Sequence, residues 1–441
     1  MGARRNLVVG LGKTGLSVVR WLHAQGEAVT VTDSRQTPPG LDGLRVLGSS
    51  VVTRLGGFDA DLLAHADRIV LSPGVSRREP LVCAALAQGI AVIGDVELFA
   101  HACRAPTVAI TGTNGKSTAT TLLAEMAQAA GRRVLAGGNL GEPALDLLAQ
   151  PVPELYVLEL SSYQLESTSS LQLAAAAVLN LTPDHMDRYE DVAEYAATKA
   201  KIFAHAAVAI VNLDDPLVSA MPRPGQRCVG FSIQSVDAEF GIVVGDQGPA
   251  LAHHGVALLP LAELRLPGRH NAANALAALA LGAEIGLPLA PMLATLRSFG
   301  GLAHRTQVVA ERHGVRFVDD SKGTNVGATL AAVAGLSEPL VVIAGGDGKG
   351  QDFKPLAAAF RDRVRHVVLI GRDRNQIAAA LVGSCSVEFA DDMDAAVAAA
   401  ARVARSGDLV LLSPACASLD MYRDYAARGA AFAAAVRGLD A

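Results

Sequence analysis

Val108-Ala-Ile-Thr-Gly-Thr-Asn-Gly-Lys-Ser-Thr118 runs an apolar strand into a glycine-containing turn and then a Lys-Ser-Thr that opens a helix. Such a stretch is a phosphate cradle. Gly112 and Gly115 permit turn geometry and close approach of backbone to an anion, while the N–H groups and positive dipole end of a helix beginning near Lys116 favour negative charge. Thr113, Asn114 and Thr118 complete the loop; Lys116 adds a full charge, and Ser117 a hydroxyl suited to Mg²⁺. The general phosphate-loop pattern is met only in part, because Ile110 stands where the early glycine would be, five residues before Gly115. The bland alternative is an ordinary strand-turn-helix with a solvated lysine, and the complete Gly-Lys-Ser-Thr ending argues against it.

Downstream, Leu155-Tyr-Val-Leu-Glu-Leu160 reads as a strand that delivers Glu159 near its carboxyl end. A carboxylate there, beside a phosphate loop on a parallel sheet, suits Mg²⁺; the alternative is a local partner for Ser161, Ser162 or Tyr163. A further apolar strand over residues 174–179 ends in a loop crowded by Asp184, His185 and Asp187, and a helix over 193–203 carries Lys199 and Lys201. On their own these two lysines read as solvated. Residues 205–265 read as short strands and turns, after which Gly268-Arg-His-Asn-Ala-Ala-Asn274 leads into an alanine-rich helix. Asn271 and Asn274 share a face of it, either against small residues or as amides that recognise a base edge.

Upstream, Asn6-Leu-Val-Val-Gly-Leu-Gly-Lys-Thr-Gly15 is a short strand followed by G-x-G-x-x-G, and the next strand ends at Asp33. This dinucleotide-type fingerprint holds a diphosphate, with an acidic residue where a ribose hydroxyl would want one. Ser34-Arg35 adds a cation just beyond the strand, and Ser72-Pro-Gly74 turns at the end of another. Residues from about 300 onward repeat strand, polar turn and helix: Val315-Arg-Phe-Val318 before Asp319-Asp-Ser-Lys-Gly-Thr-Asn325, then strands ending at Gly345-Gly-Asp-Gly-Lys349, at Gly371-Arg372 and at Ser413-Pro-Ala-Cys-Ala-Ser-Leu-Asp420. The alanine-rich tail over 426–435 reads as compositional bias on a helix.

The expected fold class is therefore α/β in three domains, each a largely parallel sheet with flanking helices: 1–95 Rossmann-like and nucleotide-holding, 96–300 like the phosphate-loop NTPases, and 301–441 Rossmann-like. A chain of 441 residues is long enough for three cores. The hydrophobic share of 51% is largely alanine, and the richest run, 275–283, falls far short of the roughly 20 residues a bilayer requires. Arg4-Arg5 imitates a secretion signal, but glycines and Lys13 interrupt the run, so a cytoplasmic protein without membrane insertion is expected. Five scattered cysteines indicate neither a disulfide framework nor a zinc site. A net charge of −5 with 4% aromatic residues gives no footprint for nucleic acid.

Taken together, the phosphate loop, Leu158-Glu-Leu-Ser-Ser162, Asp184-His-Met-Asp-Arg188, Leu302-Ala-His-Arg305, Asp320-Ser-Lys-Gly-Thr-Asn325 and Ser413-Pro-Ala-Cys-Ala-Ser-Leu-Asp420 resemble the bacterial Mur ligases over essentially the whole chain. These are ATP-dependent amide-forming enzymes of peptidoglycan precursor synthesis. The branch resembled adds D-glutamate to UDP-N-acetylmuramoyl-L-alanine; the Asp-Asn-Pro-Arg of the diaminopimelate-adding branch is absent from the sequence. The resemblance implies that Lys116 contacts the ATP phosphates, that Ser117 and Glu159 hold one Mg²⁺, and that His185 helps hold a second. Lys199, favoured over Lys201 by its spacing after Tyr195, matches the lysine that the family carbamylates into a metal-binding carboxylate. Asn271, Arg305 and Asp320 match nucleotide contacts. Thr324, Lys349, Ser418 and Tyr425 match the D-glutamate pocket, with Tyr425 where phenylalanine is familiar. Thr14, Ser34, Arg35 and Gly74, with Asn139, match positions holding the UDP-sugar, and a monomer is expected.

The chemistry agrees with that resemblance: two anions, a carboxylate and a γ-phosphate, must meet, which calls for Mg²⁺, Lys116 and Arg305 or Lys322. No protein nucleophile is needed, so Cys416 is read as packed. A nicotinamide dehydrogenase would leave the second phosphate loop idle, a folylpolyglutamate-type ligase would leave the first domain idle, and an ATP-driven binding module would turn over without D-glutamate. Because ATP groups are expected from the second and third domains, closure before turnover follows. Small-angle scattering should show compaction when ATP analogue and UDP-sugar are added together.

Overall fold

The computed structural model describes residues 4–47, 51–235, 237–245, 248–266 and 268–439. Runs such as Thr-Val-Ala-Ile-Thr at 107–111 and Leu-Val-Leu-Leu at 409–412 are buried along their whole length. Continuous apolar strands of that kind belong in parallel sheets covered on both faces, and three largely parallel sheets form. The first comprises β1 (Arg5–Val9), β2 (Ala28–Asp33), β3 (Val52–Leu55), β4 (Arg68–Leu71) and β5 (Ala91–Ile93), in the order β3-β2-β1-β4-β5. All four pairings are parallel. The order reverses between β1 and β4, the place where such sheets open a ligand crevice at their carboxyl edge.

The second sheet contains β6 (Thr107–Thr111), β7 (Val134–Gly138), β8 (Leu155–Glu159), β9 (Ala175–Val178), β10 (Val208–Asn212), β11 (Arg227–Phe231), β12 (Phe240–Gly245), β13 (Gly248–His253) and β14 (Val256–Pro260). Strand β6 lies between β8 and β9 in a parallel set, and the irregular 205–265 region supplies β10 and β11 and then an antiparallel meander, β12-β13-β14. The third sheet, β15 (Gln307–Arg312), β16 (Val315–Asp319), β17 (Leu340–Gly345), β18 (Val364–Ile370), β19 (Ser386–Phe389) and β20 (Leu409–Leu412), has the order β15-β16-β20-β17-β18-β19. Its two faces pack separate cores, one around Phe353, Leu356 and Phe360, the other around Phe317, Met393 and Phe432.

The chain forms two compact units. Residues 1–181, 193–261 and 273–297 make the first, and residues 182–192, 262–272 and 298–441 the second. The segment with Asp184 and His185, expected with the central domain, thus groups with the third sheet. No helix among the described residues is long and apolar enough to cross a membrane, and all five cysteines are free.

Within the first unit, the helix Asp95–Ala102 begins with a fully buried carboxylate. Asp95 Oδ2 accepts from Gln164 Nε2 at 3.2 Å, whereas Oδ1 has no hydrogen-bond partner among the described residues. Burial lifts this carboxyl to about 6, against the opposing pull of Gln164 and backbone N–H groups. Between the unfolded value of about 4 and the folded value, the folded chain keeps a proton that the unfolded chain releases, so this group's contribution falls as pH rises. Denaturant unfolding should show wild type losing stability relative to Asp95→Asn by at most about 1.4 kcal/mol per pH unit, and about 1 on average, across that window. A pH-independent difference would contradict the assignment.

Candidate functional site

The turn after β6 has the geometry of an anion cradle. Gly115, with φ of 82°, caps the helix Lys116–Ala129 in the left-handed region. An added Cβ there would also lie 2.3 Å from Asn274 Oδ1, so both strain and lack of space demand glycine. Asn274 is buried with its amide oxygen against Gly115, which agrees with packing against a small residue, one of the two readings of its position. Asn180, at the end of β9, holds the loop from the other side: its Oδ1 accepts from Asn114 N–H at 2.8 Å, its Nδ2 donates to Asn114 O at 3.0 Å, and its carbonyl accepts from Thr113 N–H at 3.0 Å. Thr113, Ser117 and Thr118 are buried at the helix start.

Two lysines converge on this loop. Lys116 Nζ donates to Gly112 O at 3.0 Å and Thr113 O at 2.8 Å. Lys199 Nζ donates to the same Gly112 O at 2.9 Å and lies 4.7 Å from the centroid of the Tyr195 ring. The solvated reading of Lys199 is wrong: it is 1% exposed, because its position on the helix Val192–Ala200 turns it toward the loop. Lys201 is the exposed member of the pair and reaches Glu166 O.

Glu159 is 1% exposed at the end of β8. Its Oε1 accepts from Asn139 Nδ2 at 2.6 Å, and its Oε2 has no hydrogen-bond partner among the described residues. It is not spent as a cap, since Ser161 caps the helix Ser162–Leu165 reciprocally with Gln164. A buried carboxylate oxygen left over beside a phosphate loop suits a hard cation. Asn139, which the resemblance matches to the UDP-sugar, also orients this carboxylate.

At the carboxyl edge of the first sheet lies a cavity of about 320 Å³ lined by Gly10, Gly12, Lys13, Thr14, Gly15, Asp33, Ser34, Arg35, Phe58, Ser72, Pro73, Gly74 and Val75. A Cβ on Gly15 would fall 2.0 Å from Gly10 O, whereas one on Gly12 would meet no protein atom within 4 Å. Gly15 thus seats helix on strand and Gly12 keeps the cavity open, the division of labour of a diphosphate-binding turn. Asp33 does not wait for a ribose. Its oxygens accept from Leu11 N–H and from Arg35 N–H, Nε and Nη2. Burial pushes its carboxyl up, but these bonds outweigh it and hold it below the usual range.

In the second unit Asp184 is the hub of the segment 182–192. Asn325 Nδ2 donates to it at 3.0 Å, Lys349 Nζ lies 3.7 Å away, and His185 Nε2 lies 3.7 Å from the same carboxylate. Thr324 is half-buried and Ser418 buried in strand-end loops of this unit. Lys322 Nζ sits 3.7 Å from the centroid of Tyr425, whose ring meets His304 edge-on at 6.2 Å. Asp320 accepts from Ser413 Oγ at 2.8 Å and Thr306 N–H at 3.2 Å. Burial raises its carboxyl to about 6, and Ser413 and Arg305 pull the other way. Burial, then Arg305, lowers His270, which precedes the half-buried Asn271. Non-glycine residues with positive φ gather here: His185, His304, Thr306, Lys349 and Ala415. Cys416 is buried, and burial raises its thiol, as expected for a packed residue.

Arg428, inconspicuous in sequence inside an alanine-rich tail, ties these loops together. It is 1% exposed. Its guanidinium donates to Ser321 Oγ at 3.0 Å, Ser321 O at 2.9 Å and Cys416 O at 3.1 Å, with Gly345 O at 3.5 Å. Each acceptor residue follows or ends a different strand of the third sheet. The only signal in the sequence is a cation among alanines. Gly429 lets the helix approach: a Cβ there would lie 2.2 Å from His304 Nδ1, beside the His304–Asp319 contact of 2.6 Å.

The chain belongs to the Mur ligase family of acid–amine ligases. The Mur ligase MurD-like N-terminal domain matches residues 4–94, the Mur ligase middle domain residues 110–282, and the Mur ligase glutamate ligase domain residues 304–416. The UDP-N-acetylmuramoylalanine--D-glutamate ligase of Nitrosococcus oceani is 51% identical over 439 residues, covering 99% of this chain and 97% of its own. Its counterpart in Pseudomonas aeruginosa is 49% identical, with 98% of each chain covered. Among solved structures, the UDP-N-acetylmuramate-alanine ligase MurC of Thermotoga maritima has a TM-score of 0.63 at 19% identity over 100% of both chains. The MurF ligase of the same organism, in complex with ADP, has a TM-score of 0.61 at 16% identity over 99% of this chain and 96% of its own. These two establish the likeness of fold.

Arg428→Ala should strip donors from several buried acceptors and destabilise the chain by at least about 2 kcal/mol. Arg428→Lys should not restore it, since an ammonium cannot span the same fork. Denaturant midpoints of the two variants check this, and a wild-type midpoint for Arg428→Ala would refute it.

Proposed function

We infer that this chain is an ATP-dependent ligase, ADP-forming, that joins D-glutamate to UDP-N-acetylmuramoyl-L-alanine in peptidoglycan precursor synthesis. The observation that carries the reading is the double phosphate chemistry of the first unit: a diphosphate-type cavity at the first sheet and a lysine-bearing phosphate loop on the second. The dehydrogenase alternative gains nothing from Asp33, whose oxygens are engaged by Arg35 and Leu11. We assign the UDP-sugar to residues 1–95, ATP chiefly to 96–300, and the amino acid with part of ATP to 301–441.

In the first step a carboxylate oxygen of the sugar-peptide attacks the γ-phosphorus, the bond to the bridging oxygen breaks, and ADP leaves. In the second, the amine nitrogen of D-glutamate, having lost its proton, attacks the acyl carbon and phosphate departs. Thr14, Ser34, Arg35 and Gly74 hold the UDP-sugar. Backbone N–H groups of residues 112–118 and the Lys116 ammonium hold the phosphates, with Asn271, Arg305 and Asp320 on the rest of the nucleotide. Arg305 and Lys322 supply positive charge where the two anions meet. Thr324, Lys349, Ser418 and Tyr425 receive the amino acid. Ser117 and Glu159 suit one Mg²⁺, and His185 with a carbamylated Lys199 a second; when bound, the ions neutralise charge on the phosphate oxygens. The unpartnered Oε2 of Glu159 supports the first assignment. The meeting of two ammonium groups on Gly112 O supports the second, because a carbamate on Lys199 turns a like-charged pair into an attractive one. The enzyme is assigned to the cytoplasm as a monomer.

Phosphate release with UDP-N-acetylmuramoyl-L-alanine and ATP should depend on D-glutamate and not on L-glutamate, L-lysine or L-alanine. Lys116→Ala should abolish that release while UDP-sugar binding, followed by calorimetry, stays near wild type; loss of both would mean that the two sites are misassigned.

A further inference from the structure

The β12-β13-β14 meander carries a side-chain cluster that the ligase reading does not use. Glu239 Oε1 lies 3.8 Å from His253 Nε2 and 3.6 Å from His254 Nε2. The candidate ligand atoms of the three residues all lie within 4.8 Å of one another. Both imidazole-to-carboxylate spacings are too long for a direct hydrogen bond. They approach the edge of about 3.3 Å between neighbouring ligands of a tetrahedral ion with bonds of about 2.0–2.1 Å.

The backbone prepares this arrangement. His254 and Gly255 form the turn between β13 and β14 with φ of 47° and 76°, so His254 is held in the left-handed region that histidine adopts infrequently. Its N–H donates to Glu239 O at 2.8 Å, which fixes the carboxylate's own residue against the turn. His253 stacks on Phe240, its partner across the strands, at 4.3 Å between centroids and 20° between planes. One ring is thus positioned by an aromatic neighbour and the other by its backbone, with the two rings 4.3 Å apart. The Glu239, His253 and His254 side chains are 30%, 38% and 66% exposed, which leaves an open side for water as a further ligand.

We propose that Glu239, His253 and His254 form a binding site for a late first-row divalent transition ion of the Zn²⁺ class, clamping the β13–β14 turn to the start of β12. Two imidazole nitrogens and one carboxylate suit such an ion and not Mg²⁺, which prefers an all-oxygen shell. That contrast separates this site from the phosphate-loop cations. It also makes the site independent of the ligase assignment.

The test uses the full chain in a large excess of Mg²⁺, with Zn²⁺ titrated against a chromophoric chelator and Co²⁺ as a spectroscopic substitute. Wild type should take up one more equivalent than Glu239→Gln or His254→Asn, show visible absorption with Co²⁺ that both variants lack, and hold Zn²⁺ at least about tenfold more tightly than either. Asparagine tolerates the left-handed turn, so His254→Asn should fold and retain D-glutamate-dependent phosphate release. Equal uptake by all three proteins, no uptake by wild type, or loss of the equivalent only in Glu159→Gln would each overturn the proposal.

Discussion

The phosphate loop depends on how one carbonyl, that of Gly112, is shared. It accepts from Lys116 and from the buried Lys199, and the backbone can present it so only because Gly112 and Gly115 take conformations that other residues avoid. Two lysine side chains thus meet on one oxygen where little water can screen whatever charge they carry. The same loop is braced by the amides of Asn180 and Asn274. A cradle held in place before an anion arrives loses little to reorganisation, and preorganised charge is the largest lever available to phosphoryl transfer.

The second unit meets a related problem with several loops instead of one. Its candidate site residues hang largely from loops that follow strands, and irregular loops cannot fix side chains by themselves. Arg428 supplies the missing connection, with one guanidinium answering acceptors on the loops after β16 and β20 and at the end of β17. Burial lowers its pKa to about 10, still far above neutrality, so the charge survives desolvation. Gly429 beside it lets the helix settle against His304 and Asp319.

Much of this was legible from residue order. Apolar runs with polar, glycine-bearing ends marked the central strands of all three sheets, and the two phosphate turns stood where strand, turn and helix met. The edge strands β3 and β19 escaped because polar residues interrupt them, and β5 because three apolar residues are too short a run to read. Site residues were legible when their chemistry was local, as with Lys116 and Ser117. They were not when the decisive partner was remote in sequence. Nothing near Lys199 announces that its ammonium is buried against Gly112, 87 residues earlier in the chain, and nothing near Asn139 announces Glu159.

Five of the six non-glycine left-handed residues described in the second unit lie in its candidate-site loops. His185, His304, Thr306, Lys349 and Ala415 each hold a conformation disfavoured by roughly 1–2 kcal/mol. Added together that is on the order of 5–10 kcal/mol, comparable with the whole folding margin of a typical domain. A unit so built gives up thermal robustness for the aim of a few side chains. A small molecule that binds those loops would act as a folding ligand as well as a reactant, and resistance to heat would then track its supply.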